Sequence, residues 1–193
     1  MATPPQRLGG VVLAGGPGRR FGSPKAGVRL AGRTLVERAV ATLAERCGGG
    51  VVVVSRPGVA LPDLDVPVVF DRPGPDAPLV AVATGLAALD SEEALVLACD
   101  LPLAAPAVDL LCEAPDGIAV CALDRSGRPQ PLCARYPRAA ALAACDRLLA
   151  AGALPVRGLL DAVQAAGVEA PGDALLNVNR PEDLRRAEAL LAG

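Results

Sequence analysis

Four consecutive valines, Val51–Val54, constrain the fold of this chain more than any other feature. A run with no polar member cannot be the half-exposed strand of an open antiparallel sheet. It reads as a strand buried on both faces, the pattern of a parallel sheet with helices on either side. The rest of the chain agrees. Gly10–Leu13, Val66–Phe70, Leu95–Cys99 and Ile118–Ala122 read as further strands, and segments of helical period lie between them. Thr34 to Cys47 is predicted as a helix, because Thr34 and Glu37 have capping-box spacing and Gly48-Gly49-Gly50 ends the period. Leu79–Leu89 and Val108–Glu113 read as the next two helices. Beyond these, Gln130–Tyr136 reads as a strand, Ala139–Ala151 and Val156–Ala166 as helices, Leu175–Val178 as a short last strand and Pro181–Leu191 as a closing helix. Alternating βα units with right-handed crossovers give an α/β, Rossmann-like, doubly wound sheet. The 193 residues suit one domain spanning 1–193.

In such a sheet ligands sit beyond the carboxyl ends of the strands. That edge should gather the turn after Leu13, Asp71 after the third strand and Asp100 after the fourth. The turn itself is distinctive. Of the 19 basic residues in the chain only one is lysine, Lys25, and it closes the glycine-rich segment Leu13 to Lys25. A lysine ammonium is a compact point charge, whereas arginine is a planar fork, so a narrow phosphate site can distinguish them. Gly15, Gly16, Gly18 and Gly22 let backbone N–H groups approach a ligand, and Arg19, Arg20 and Lys25 supply three charges for a triphosphate. Neither common nucleotide motif fits. Ser23-Pro24 precedes Lys25 where a P-loop needs Gly-Lys, and Phe21 stands where the dinucleotide fingerprint needs its last glycine.

Composition removes other chemistries. Histidine is absent, so the usual zinc sites and Ser-His or Cys-His catalysis are excluded. The six cysteines lack C-x-x-C spacing and read as buried small hydrophobes in a reducing compartment. Aromatic residues are 2 % and the net charge is −2, which argues against a nucleic-acid partner. No uninterrupted apolar stretch reaches the roughly 20 residues of a membrane span. A cytoplasmic location is expected.

The segment L-A-G-G-x-x-x-R-F-G-x-x-K at Leu13–Lys25 resembles the signature of nucleotidyltransferases of the molybdenum cofactor guanylyltransferase type. Further blocks resemble that family in order: Val69-Phe70-Asp71 with Ala77-Pro78-Leu79-Val80-Ala81, Ala98-Cys99-Asp100-Leu101-Pro102, Arg128-Pro129-Gln130-Pro131-Leu132, and Asn177-Val178-Asn179 with Pro181-Glu182-Asp183-Leu184. The resemblance implies transfer of GMP from GTP to molybdopterin or its molybdenum complex with release of pyrophosphate. Other implied partners are proteins of cofactor biosynthesis or molybdoenzymes. It further implies that Leu13, Ala14, Gly15, Gly16, Arg19, Lys25, Ser55, Asp71 and Asp100 bind the nucleotide, and that Lys25, Arg20 and Asp100 act in catalysis. Asp100 would hold Mg2+, and Asn177 and Asn179 would lie at the acceptor. Three departures leave alternatives open. Ala77 and Ala81 replace glycines, and Ser55 stands where the family often has asparagine. Pro24-Lys25 resembles the P-K of cytidylyltransferases. The alternatives are a cytidylyltransferase, a guanylyltransferase acting on another phosphorylated acceptor, or a non-catalytic nucleotide-binding homologue.

Overall fold

The computed structural model describes residues 7–16 and 25–192. Its centre is a seven-stranded sheet: β1 (Leu8–Leu13), β4 (Val51–Ser55), β5 (Val68–Phe70), β6 (Glu93–Ala98), β7 (Val120–Leu123), β8 (Pro129–Pro137) and β9 (Ala166–Glu169). Two-residue strands β2 (Arg29–Leu30) and β3 (Arg33–Thr34) form a separate hairpin. Ala31 and Gly32 both adopt positive φ at its turn, as a two-residue hairpin loop demands. The sheet order is β5-β4-β1-β6-β8-β7-β9. β5, β4, β1 and β6 run parallel, β8 is antiparallel to both neighbours, and β9 is parallel to β7.

Every residue of β1, β4 and β6 is buried, which is why those segments carry almost no polar residues. Alternate side chains go to opposite faces. Val12, Val53, Leu95 and Leu97 pack on one face with Val36 and Leu43 of helix α1 (Leu35–Ala44) and Val108 and Leu111 of α3 (Ala105–Glu113). Val11, Leu13, Val52, Val54 and Val96 pack on the other with Leu79, Val82 and Leu86 of α2 (Pro78–Ala87). That face also receives α4 (Arg138–Ala150) and α5 (Arg157–Ala162) through Ala141, Cys145, Leu159 and Leu160. α2 comes so close to β1 that a Cβ on Gly85 would stand 2.2 Å from Val11 Cγ1. The capping box at α1 is formed: Thr34 Oγ1 accepts from Glu37 N, and the Glu37 carboxylate accepts from Thr34 N at 2.6 Å.

Two expected elements differ. The helix predicted to run to Ala166 stops at Ala162, and Ala166–Glu169 forms β9 against β7. Gln164 turns the chain at φ 51 and Ala165 N donates to Leu160 O, a helix termination made without glycine. Leu175–Val178 is no strand. Val178 is instead plugged between Leu30, Leu35 and Ala187 of α6 (Pro181–Ala192), and its N–H donates to Asp100 O at 2.8 Å. Tertiary burial of one valine replaces sheet pairing there. Among the described residues no helix is long and apolar enough to cross a membrane.

Candidate nucleotide site

A cavity of about 660 Å³ opens along the carboxyl edge of β1, β4, β5 and β6, within the usual size range of small-molecule sites. Because β8 runs the other way, its first residues reach the same edge. Gln130, Pro131 and Leu132 therefore line one side of the cavity. Tyr136, fully buried, donates its hydroxyl to Pro131 O at 2.8 Å, and the Asp124 carboxylate accepts from Gln130 Nε2 at 3.3 Å.

The lone lysine reaches across the chain to the end of β6. Its Nζ lies 2.9 Å from Asp100 Oδ2, and it also donates to Asn179 Oδ1. Asn179 Nδ2 in turn donates to Asn177 Oδ1 at 2.6 Å. The Val178 anchor on Asp100 O sets this up, since it fixes the flanking asparagines beside the carboxylate. Asn179 does not cap α6 with its side chain. The Asp183 carboxylate does so, accepting from Asn179 N and Arg180 N at 2.9 and 2.8 Å. Lys25 and Asp100 are both partly open to the cavity, so this ion pair can exchange partners with an incoming anion and cation.

Gly15 and Gly16 line the cavity between two cations. A Cβ on Gly16 would be 3.8 Å from Lys25 Cδ, and one on Gly15 would be 3.2 Å from Arg56 Cγ. Arg56, the first residue after β4, donates from Nε to Asp71 Oδ2 at 3.4 Å and from Nη2 to Asp76 Oδ1. Burial pushes the Asp71 carboxyl above its ordinary range, and Arg56 pulls it partly back. Asp71 Oδ1 is buried with no hydrogen-bond partner among the described residues.

The remaining sequence candidates fall as follows. Leu13 lines the cavity. Ala14 is fully buried just behind it, its N–H donating to Val54 O at 2.8 Å. Ser55 is also fully buried, its hydroxyl unpartnered among the described residues, and it is not part of the lining. Arg19 and Arg20 lie outside the described residues. Ala81 faces the cavity, while Ala77 is buried at the start of α2. Sequence reasoning missed Arg56, one arginine among 18. The available signal was its position directly after the valine strand, equivalent to Asp71 and Asp100 after theirs.

Among the described residues no three His, Cys, Asp or Glu side chains gather as a ready-made metal cage. Asp100 with the neighbouring amide oxygens of Asn177 and Asn179 is an all-oxygen set with a single carboxylate. That suits magnesium, which is commonly held by one or two carboxylates together with substrate phosphates and water. Thiol chemistry is not on offer, since burial pushes Cys99, beside the cavity, up to about 12.

A doubly wound sheet whose carboxyl edge brings Gly15, Gly16, an ammonium and a strand-end aspartate to one cavity has the layout of a nucleotide-binding enzyme. Residues 10–166 match the MobA-like NTP transferase domain, and the chain belongs to that family. It is 40% identical to the molybdenum cofactor guanylyltransferase of Cereibacter sphaeroides over 200 residues, covering 96% of this chain and 97% of the relative. Identity to the probable molybdenum cofactor guanylyltransferase of Chloroflexus aggregans is 37% over 202 residues, covering 95% of each chain. The fold resembles that of molybdopterin-guanine dinucleotide biosynthesis protein A from Archaeoglobus fulgidus, with TM-score 0.72 at 22% identity, covering 95% of this chain and 98% of that one.

Proposed function

We propose that the chain, acting as one domain, transfers GMP from GTP to a molybdopterin-type phosphorylated acceptor and releases pyrophosphate. The observation that carries this reading is the meeting of Lys25 with Asp100 inside the glycine-lined cavity, 2.9 Å apart across 75 residues of sequence. The names of the relatives supply the base and the acceptor.

In this reading an oxygen of the acceptor's phosphate attacks the α-phosphorus of GTP. A new P–O bond forms as the bond to the oxygen bridging α- and β-phosphorus breaks, and pyrophosphate leaves with that electron pair. The chain has no histidine to act as base, and none is required, because a phosphate nucleophile is already an anion at neutral pH. The protein's work is positioning and charge neutralisation. Lys25 donates to phosphate oxygens, and Arg20, five positions earlier in sequence, would add a second cation for them. Leu13, Ala14, Gly15 and Gly16 bring backbone close to the nucleoside, and Asp71 sits at its far end. Asn177 and Asn179 orient the acceptor. Asp100 would hold magnesium, which when bound neutralises charge on the phosphate oxygens. All six cysteines are free, which fits a cytoplasmic location.

The test is pyrophosphate release from GTP, magnesium and molybdopterin, preceded by thermal shift against GTP, CTP, ATP and UTP. A GTP-selective rise in Tm followed by molybdopterin-dependent pyrophosphate supports the proposal. A CTP-selective rise would replace it with cytidylyl transfer, and no rise with any triphosphate would sink it.

A further inference from the structure

We propose that Arg56 selects the base, donating from its guanidinium to the O6 and N7 acceptors of guanine. This rests on the reading of the cavity as a GTP site and adds the residue that would make it one.

The position of the phosphates fixes where the base must lie. Strand order places Asp71, Arg56, Gly15 and Asp100 on four successive strand ends. Three spacings of about 4.8 Å put roughly 14 Å between the Asp71 and Asp100 ends of the cavity. Lys25 and the acid it grips occupy the Asp100 end, so the phosphates belong there and the base belongs at the other. The two glycines divide the same way: the lysine stem lies over Gly16 and the arginine stem over Gly15.

At the base end, Arg56 is the cation lining the cavity among the described residues. Its guanidinium carries donors only. Nε is engaged by Asp71 and Nη2 by Asp76, leaving Nη1 outside both contacts. Asp76 is largely solvent-exposed, with 74% of its side chain accessible. An exposed ion pair is worth little, so a ligand can displace it readily. The Asp71 contact, on the more buried side, instead holds the fork in place.

Among the bases, guanine presents two acceptors side by side, O6 and N7, the pair to which arginine binds bidentately. Adenine places an amino donor at the equivalent of O6. Pyrimidines have no N7. Ser55, adjacent in sequence, cannot share this task, because its hydroxyl is fully buried away from the cavity.

Titration calorimetry on the full chain with magnesium chloride tests this using GTP, 7-deaza-GTP and ATP against wild type, Arg56→Ala and Arg56→Gln. Wild type should prefer GTP over ATP by about 10- to 100-fold, the range of a bidentate arginine–guanine contact, and over 7-deaza-GTP, which keeps O6 and loses only N7, by a smaller factor. Arg56→Ala should bind GTP and 7-deaza-GTP alike. Arg56→Gln should narrow or invert the preference over ATP, since glutamine pairs with adenine N6 and N7. Variants that lose affinity for all three nucleotides equally, with ratios unchanged, would reduce Arg56 to a structural support and overturn the proposal. So would a wild type that favours GTP over ATP but binds 7-deaza-GTP as tightly as GTP. A wild type with no preference for GTP would defeat the GTP assignment itself, and this proposal with it.

Discussion

Two ion pairs, one at each edge of the sheet, show how the same chemistry serves opposite ends. At the carboxyl edge Lys25 meets Asp100 with both side chains partly open to a cavity. At the amino end of β6, Arg135 faces Glu93 at 3.8 Å with both side chains almost wholly buried. Arg135 also donates to the carbonyls of Ala114 and Pro115 just past α3, and Glu93 Oε1 accepts from Gly117 N at 2.8 Å. The buried pair turns Arg135 Nη2 and Glu93 Oε1 to backbone groups, leaves Arg135 Nε without a hydrogen-bond partner among the described residues, and ties the α3–β7 connection to the sheet. The open pair is bound chiefly to side chains that a ligand can replace. Solvent access, more than the charges, separates the pair proposed to act on substrate from the structural one.

The largest loss is expected at Asp100. Asp100→Asn should cut turnover on the order of 10³-fold, the scale of losing one preorganised electrostatic contact at a reacting phosphate. Its Tm should stay near wild type, and steady-state kinetics with a melting scan would read both. Turnover close to wild type would remove Asp100 from the proposed chemistry.

Arg135→Ala should do the reverse. Leaving Glu93 buried without its partner should cost about 3–5 kcal/mol in urea denaturation. The kcat/KM of the folded fraction should hold. The double variant Glu93→Leu with Arg135→Met should recover most of that loss. If it is as unstable as the single variant, the pair is more than a replaceable lock.

Lys25→Ala should weaken GTP binding by about 10- to 100-fold, the value of a hydrogen bond to a charged group, and calorimetry measures it. Unchanged affinity would contradict the role given to the lysine.

The smallest effect concerns Asp71. Its folded carboxyl titrates above the ordinary aspartate value of 3.8 because it is buried. The folded state therefore holds the proton more tightly than the unfolded state. Stability from this group is greatest below the ordinary value and is lost as pH rises through the raised one. Asp71→Asn should abolish that segment of the pH–stability curve and raise Tm slightly at neutral pH. A lower Tm across the whole pH range would show that the Arg56 contact outweighs the desolvation.

Much of the fold was legible because its signals are local. All-apolar runs such as Val51–Val54 mark central strands, and Thr34 with Glu37 marks the start of α1. β9 was not legible. Ala166-Gly167-Val168-Glu169 has a single β-branched residue, and its glycine lies so close to the Leu123 side chain that a Cβ there would stand 2.8 Å from it. That close approach is a fact of packing and leaves no mark in the segment's own composition. The placement of the asparagine pair does not come from the strand expected at Leu175–Val178. Its actual cause is Val178, whose burial among Leu30, Leu35 and Ala187 depends on residues about 150 positions earlier.

The alternation of strand and helix, the carboxyl-edge location of Gly15, Asp71 and Asp100, and the family resemblance follow from local sequence, because each rests on neighbours within a few residues. Tertiary folding settled that, among the described residues, Arg56 is the arginine that faces the cavity, and that Ser55 does not. It also decided that the single ammonium lies between an acid 75 residues away and an amide 154 residues away. Such contacts arise when separate chain segments close around a shared core. Their geometry is set by packing that no local pattern encodes.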